Sequence, residues 1–313
     1  MKTTDILGCV GGAAFFLLAA AWIPFAGPLL SLLTPLPFLY YSTKLGFQQG
    51  VKLTILVVLI IGLAAKLAGQ TQIIIFSVEF SLLGLVLSWL FSRKLTIGRT
   101  ILLATAFVLL LGLGVLFFLA FPKNIGPLDL MLGYLQDNLK AAIKASEGMG
   151  MPQGTAVELE EFGKALIDAI SRIYPSLLVI GAGFVVWLNV IMVKPLFRMK
   201  NLEYPEFGPL DCWQAPDRLI WVVIVSGFAL FLPSTGVKLM ALNALIVMMA
   251  VYFFHGLSIT LFFLGKYRVP SLVRICVYLL IMIQQLFILV LALAGLFDQW
   301  ADFRRIHRRI VTD

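Results

Sequence analysis

Long apolar runs separated by short polar stretches dominate the chain. They fall at Ile6 to Phe25, Pro28 to Tyr41, Val51 to Leu67, Ile73 to Phe91 and Ile101 to Phe121, then at Ile173 to Val193, Leu219 to Leu232, Val237 to Leu264 and Leu272 to Phe297. Most approach the ~20 residues that one bilayer-crossing helix needs. Their apolar character runs all round the helix, as lipid requires. The pattern predicts an all-α, polytopic transmembrane helix bundle of eight or nine helices. Two runs are short. Pro28 to Tyr41 carries Pro35 and Pro37, and Leu219 to Leu232 stops at Pro233. Either is expected to be a tilted, broken or re-entrant helix, since interrupted backbone at membrane depth has to be satisfied by protein.

The stretch 122–172 differs in kind, with five basic residues against seven acidic ones. Leu132, Leu135, Leu139, Ala142 and Ile143 repeat with a helical period. A Gly/Met/Pro-rich break follows at Gly148 to Gly154. Thr155 with Glu158 then reads as a capping box, ahead of a stripe formed by Val157, Leu159, Phe162, Leu166, Ile167 and Ile170. The expectation is an extramembrane amphipathic helical hairpin. It divides the chain into a five-helix membrane bundle (1–121), the hairpin (122–172), C-terminal membrane helices (173–297) and a basic amphipathic tail (298–313).

Composition narrows the function. Of 313 residues, 61% are hydrophobic and 13% charged, and the mean hydropathy is +1.00, more apolar surface than a soluble fold can bury. The net charge of +8 reads as cytoplasmic loop lysines and arginines, not as a nucleic-acid surface. Lys2, Lys44, Lys52, Arg93, Lys94, Arg99, Lys194, Arg198, Lys200, Arg218, Lys266, Arg268 and Arg274 share one side if nine spans alternate, while short opposite loops offer Lys66 and Lys238. That first side is therefore expected to be cytoplasmic. Nine spans would leave Arg304, Arg305, Arg308 and Arg309 outside. Eight complete spans, with Leu219 to Leu232 only dipping in, place them inside. Cys9, Cys212 and Cys276 have no metal or disulfide spacing. Phosphate-loop, HExxH and GxSxG signatures are absent, so no catalytic residues, cofactor or metal site is expected.

Candidate chemistry rests on polar residues inside apolar runs. Glu79 and Lys66, on consecutive runs, form a candidate intramembrane ion pair; alternatively Lys66 snorkels to the interface. Glu79, Asn189, Asn243 and His255 are candidate ligand-binding residues, and each could instead hydrogen-bond between helices. Gln284 and Gln285 are further polar positions of the same kind. Gly8 and Gly12, Gly112 and Gly114, and Gly181 and Gly183 mark expected close helix contacts. The stretch GLFDQWADFRR places Asp298 and Asp302 four residues apart, with Arg305 in reach of Asp302. Local ion pairing is favoured over a cation site. Trp300, Phe303, Arg304 and Arg305 would then lie at the anionic leaflet.

This terminus, with YFFHG at Tyr252 to Gly256, Asn243 and the N-terminal TPLPFLYYSTKLGFQQG, resembles the YybS-like bacterial membrane proteins of unknown function over most of the chain. The N-terminal half is similar at fold level to substrate-capture (S) components of energy-coupling-factor vitamin transporters and to the cell-shape protein MreD. S components typically carry an Ala-x-x-x-Ala pair in the first helix, where this chain has Gly8 and Gly12. The resemblance implies a component that binds or transports a small solute or lipid-like molecule without its own ATPase. The alternative is a non-transporting scaffold for envelope or division proteins, meeting its partner through the 122–172 hairpin or the tail.

Overall fold

In the computed structural model, residues 2–23, 26–148 and 153–304 are described, and among them regular structure is helical. The helices are α1 (Thr3–Trp22), α2 (Ala26–Ser31), α3 (Pro35–Leu45), α4 (Phe47–Leu67), α5 (Thr71–Ser92), α6 (Ile97–Ala120), α7 (Pro127–Gly148), α8 (Gln153–Met199), α9 (Leu219–Ala229), α10 (Thr235–Lys266), α11 (Ser271–Ile283) and α12 (Gln285–Ala301). Five helical stretches are long and apolar enough to cross a membrane: Phe47–Leu67, Ile73–Ser92, Ile97–Lys123, Glu161–Met199 and Thr235–Lys266. Thr3–Ala19 and Leu219–Ala229 are shorter apolar helices. The fold is a helical membrane bundle. Its outward-facing apolar side chains, such as Leu59, Leu63, Leu102, Leu110 and Phe118, are where lipid is expected.

Two expected elements differ in detail, whereas the run Pro28 to Tyr41 is broken between α2 and α3, one of the forms expected of it. The run Leu272 to Phe297 is two helices, α11 and α12, bent by 101° at Gln284. The hairpin's second arm does not end before the membrane: it continues into the next apolar run as α8, a helix of 47 residues. Nothing between Ile170 and Ile173 stops a helix, so the drop in charge there marks a change of surroundings and not of backbone. The expected cap at Thr155 falls inside α8, and its side chain lies outside the described residues.

The chain packs as two units, residues 1–138 with 181–207, and 139–180 with 208–313. In the first, short α3 is the centre. Leu36, Phe38 and Leu39 are buried, and α1, α4 and α5 surround them. Glycines let the backbones close in: a Cβ on Gly8 would strike the Tyr41 hydroxyl, one on Gly12 would sit 3.0 Å from Pro37 Cγ, and one on Gly84 would lie 2.7 Å from the Pro35 carbonyl oxygen. The Asp5–Lys44 ion pair, 2.6 Å, extends the same antiparallel register of α1 on α3. By contrast Gly112, Gly114 and Gly181 face open space, so those small residues make no close helix contact here.

In the second unit α10 and α12 cross with their backbones in contact. A Cβ on Gly256 would collide with the Leu291 carbonyl, and one on Gly295 with the Tyr252 carbonyl. This crossing positions the buried side chains of His255 and Asp298.

Candidate functional site

The first unit holds a helix interruption. Ser31 ends α2, Leu32 to Thr34 form a turn, and Pro35 opens α3. Its backbone is partly satisfied by local turns, from Thr34 N–H to the Ser31 carbonyl (3.1 Å) and Leu36 N–H to the Leu33 carbonyl (2.9 Å). Pro35 and Pro37 have no N–H, so two of the first-turn donors that a helix leaves unbonded are simply missing. From Lys44, paired with Asp5, α3 rises about 13.5 Å to Pro35 at 1.5 Å per residue, a little under half of a ~30 Å hydrocarbon layer.

Asn189, on α8, is fully buried and points at this turn. Its Nδ2 donates to the Leu32 carbonyl and to the Val185 carbonyl, both at 2.8 Å. Its Oδ1 is buried without a hydrogen-bond partner. Ser77 and Ser81, also buried, share the α5 face of Gly84 but bond carbonyls of their own helix. Glu79 is only half-buried and lies about 140° around the helix from Gly84 at 100° per residue, so it does not join Asn189. No ion pair links it to Lys66 among the described residues. Lys66 is exposed in the last turn of α4, whereas Glu79 is about 12 Å into α5, so the two differ in depth.

Where α8 ends, the aromatic rings of Phe91, Phe197, Tyr204 and Phe207 meet edge to face. The Tyr204 hydroxyl donates to the Val190 carbonyl at 2.9 Å. Burial pushes this phenol well above its usual range, which keeps it a donor.

In the second unit two distant motifs fold into one buried cluster. Asp298 on α12 accepts from Arg304 Nη2 at 3.0 Å, and its Oδ2 lies 3.1 Å from His255 Nε2 on α10. Arg304 Nη2 also lies 2.8 Å from His255 Nε2. Arg304 Nη1 donates to the Asp211 and Trp213 carbonyls at 3.0 and 3.1 Å and reaches Ser258 Oγ at 3.3 Å. Ser258 Oγ in turn donates toward the Leu210 and Trp213 carbonyls at 2.8 Å each. The guanidinium fork thus joins α10, α12 and the Leu210–Trp213 loop, using donor geometry a lysine lacks. The chemistry of the set is ionic neutralisation in an apolar surround.

This arrangement corrects the expected surface tail. Asp298 and Arg304 are interior, with side-chain exposures of 0% and 6%, and do not lie at the leaflet. The spacing argument assumed a helix running on past Asp302. Instead α12 stops at Ala301, Asp302 takes a left-handed conformation (φ 47°), and the Phe303 N–H bonds Asp298 Oδ1 at 2.9 Å, turning Arg304 inward. Trp300 stays exposed. Arg305, and with it the expected Asp302–Arg305 pair, lies outside the described residues.

Asn243 has a different task from the one expected of a ligand residue. Its Oδ1 accepts from the Ser176 N–H (2.9 Å) and its Nδ2 donates to the Arg172 carbonyl (2.8 Å), the two ends of one i, i+4 step of α8. Pro175 stands within that step, where its ring crowds the preceding turn, and the Asn243 amide bridges the donor and acceptor on either side of it. Asn243→Ala is expected to destabilise by roughly 1–3 kcal/mol, the range for orphaned buried groups. Pro175→Ala should reduce that loss, giving a coupling of about 0.5–3 kcal/mol in a thermal-unfolding double-mutant cycle. Strict additivity would refute the bridging role.

Of the four candidate ligand residues, Glu79 and Asn189 therefore belong to one unit and Asn243 and His255 to the other. His255 and Asn243 are held by protein partners. Sequence reasoning missed Asp211, Trp213 and Ser258; their contributions are backbone carbonyls and a small hydroxyl, for which no local signal exists.

Fold and buried clusters together define a multi-pass α-helical membrane protein. The chain belongs to the family described as predicted membrane protein (DUF2232), which matches residues 13–299. It is similar to the uncharacterized protein YybS of Bacillus subtilis (strain 168), with 19% identity over 297 residues that cover 93% of each chain. No solved structure matches.

Proposed function

We propose that this protein is an inner-membrane component that binds a small solute or lipid-like molecule in its first unit, without catalysis or ATP hydrolysis of its own. The observation that carries the reading is Asn189 Oδ1, a buried acceptor without a partner beside the α2–α3 interruption. Buried polar groups in folded proteins are normally satisfied, and one left open calls for an explanation. Interrupted helices near the midplane are a recurrent way for membrane proteins to present binding groups. The similarity of the N-terminal half to S components points the same way. Native mass spectrometry after gentle extraction is expected to show a small bound mass that Asn189→Ala loses. A bare chain that keeps a stable protein partner would instead support the scaffold.

One observation favours that second reading. Phe162 and Leu166, one turn apart on α8, are both exposed, a ridge on which a partner helix could pack. Phe162→Ser with Leu166→Ser would release a partner in the scaffold reading and leave ligand retention unchanged in the first.

The tail side is also open to test. Arg304 bonds the Asp211 and Trp213 carbonyls, so the chain leaves α12 beside the loop that precedes Arg218. Cysteines placed at Asp217 and Thr312 should label from the same side, the cytoplasmic one. Labelling from opposite sides would contradict this arrangement.

A further inference from the structure

We infer that two cations compete for the Asp298 carboxylate, and that a proton taken up by His255 displaces Arg304 from it, freeing the end of α12 from the Leu210–Trp213 loop. The exchange site is a triangle of three atoms. Asp298 Oδ2 lies 3.0 Å from Arg304 Nη2 and 3.1 Å from His255 Nε2, and those two nitrogens are 2.8 Å apart. A guanidinium nitrogen only donates. The 2.8 Å contact therefore needs Nε2 as a bare acceptor, in a neutral imidazole whose proton is on Nδ1. A proton on Nε2 would suit Asp298 instead, and would set Nε2 and Nη2 donor against donor. The triangle cannot satisfy both contacts of Nε2 at once. His255 Nδ1 has no hydrogen-bond partner, so the arrangement that holds Arg304 leaves a buried donor unused and does not lock the ring.

Burial turns that choice into a switch. All three residues are buried, and one carboxylate neutralises one cation. Imidazolium and guanidinium together would leave a net positive charge out of water, which is costly. The other groups around the ring do not change this count. On α10 the Tyr252 ring stacks on His255, a phenol that does not ionise near neutrality, and Ser258 bonds loop carbonyls. From the loop, the Trp213 ring meets His255 edge on, Asp211 offers its backbone carbonyl to Arg304, and the exposed Asp217 carboxylate acts at longer range. On α12, Gln299 beside Tyr252 is uncharged. Of the two cations only Arg304 can leave. His255 and Asp298 belong to helices whose backbones are in contact at Gly256 and Gly295, whereas Arg304 lies beyond the end of α12, past the left-handed Asp302 and next to the exposed Phe303. Its departure releases the Asp211 and Trp213 carbonyls, and imidazolium takes its place on Asp298.

The chain has two histidines, His255 and His307, so His307→Gln leaves one imidazole to observe. Nitrogen-15 NMR of the histidine-labelled full chain in nanodiscs is expected to show a neutral ring protonated on Nδ1 at about pH 8 and a doubly protonated ring at about pH 5, the range in which imidazole ordinarily changes charge. Over the same range, hydrogen exchange at the Cys212, Trp213 and Phe303 amides, which are bonded in the closed form, should rise about tenfold per unit of pH, as one-proton coupling requires. The reference at each pH is His255→Gln, which keeps an oxygen to accept from Arg304 and binds no proton. A further pair of variants reads the exchange from the other side. In Arg304→Ala the imidazolium alone can serve Asp298, so the loss of thermal stability should shrink between about pH 8 and about pH 5, and should not shrink when His255→Gln is added. A ring that stays neutral at about pH 5 would overturn the inference, as would a ring that gains the proton while the Trp213 and Phe303 amides stay protected. An acid recovery of Arg304→Ala that survives His255→Gln would overturn it too, by assigning the titration to Asp298.

Discussion

Arg304→Ala is expected to destabilise the second unit by roughly 3–5 kcal/mol, because it leaves the Asp298 carboxylate buried and uncompensated. The Asp211 and Trp213 carbonyls and Ser258 would lose a donor in the same step. Arg304→Lys should rescue only part of the loss, since one ammonium cannot reproduce the fork that bridges Asp298, His255 and the Leu210–Trp213 loop. Replacing both ions by leucine, in Asp298→Leu with Arg304→Leu, should restore most of the stability, because removing a buried pair together avoids the stranded charge. Tryptophan fluorescence during thermal unfolding follows all three. A single Arg304→Ala variant as stable as the parent would show that the cluster is not holding the unit together.

The second large effect is steric. Gly256→Ala and Gly295→Ala each place a methyl group into the backbone of the opposing helix, at the Leu291 and Tyr252 carbonyls. Backbone in a helix cannot rotate aside as a side chain can, so α10 and α12 must separate. Overpacking of this kind costs about 1–3 kcal/mol and sometimes more. Separation also pulls His255 from Asp298, so the expected loss lies at or above the upper end. Gly112→Ala, on an open face, is the control and should stay within about 0.5 kcal/mol of the parent. Equal behaviour of the three variants would contradict the close crossing.

What could be read in the chain beforehand follows from the range of each interaction. Apolar runs long enough to cross a bilayer report on themselves, and α4, α5, α6 and α10 fall close to their expected limits. The α2–α3 interruption was legible because Pro35 and Pro37 act on their own backbone. The bend at Gln284 was not, since glutamine is compatible with a helix and the flanking residues are apolar on both sides. The distinction at the terminus is sharper. Asp298 and Arg304 were visible as charges, but local spacing pairs them with neighbours along a helix, whereas the structure brings them to His255 across 43 and 49 residues. Glycines behaved likewise: Gly8 and Gly12 make a close helix contact as expected, with α3 as the partner, while the backbone-to-backbone approach at Gly256 and Gly295 depends on a crossing that no single segment encodes.

The polar residues at membrane depth separate on the same physical ground. Asn243, His255 and Arg304 make hydrogen bonds that close the second unit on itself. Asn189 makes one that fastens α8 to the α2–α3 turn and one to the Val185 carbonyl of its own helix, and keeps one acceptor open. A structure at hydrogen-bonding resolution, from protein in nanodiscs of host lipids with a rigid antibody fragment as fiducial, would examine that acceptor directly. Non-protein density larger than water within about 3 Å of Asn189 Oδ1 is the expected result. A turn sealed by protein side chains, with Oδ1 bonded to one of them, would contradict it.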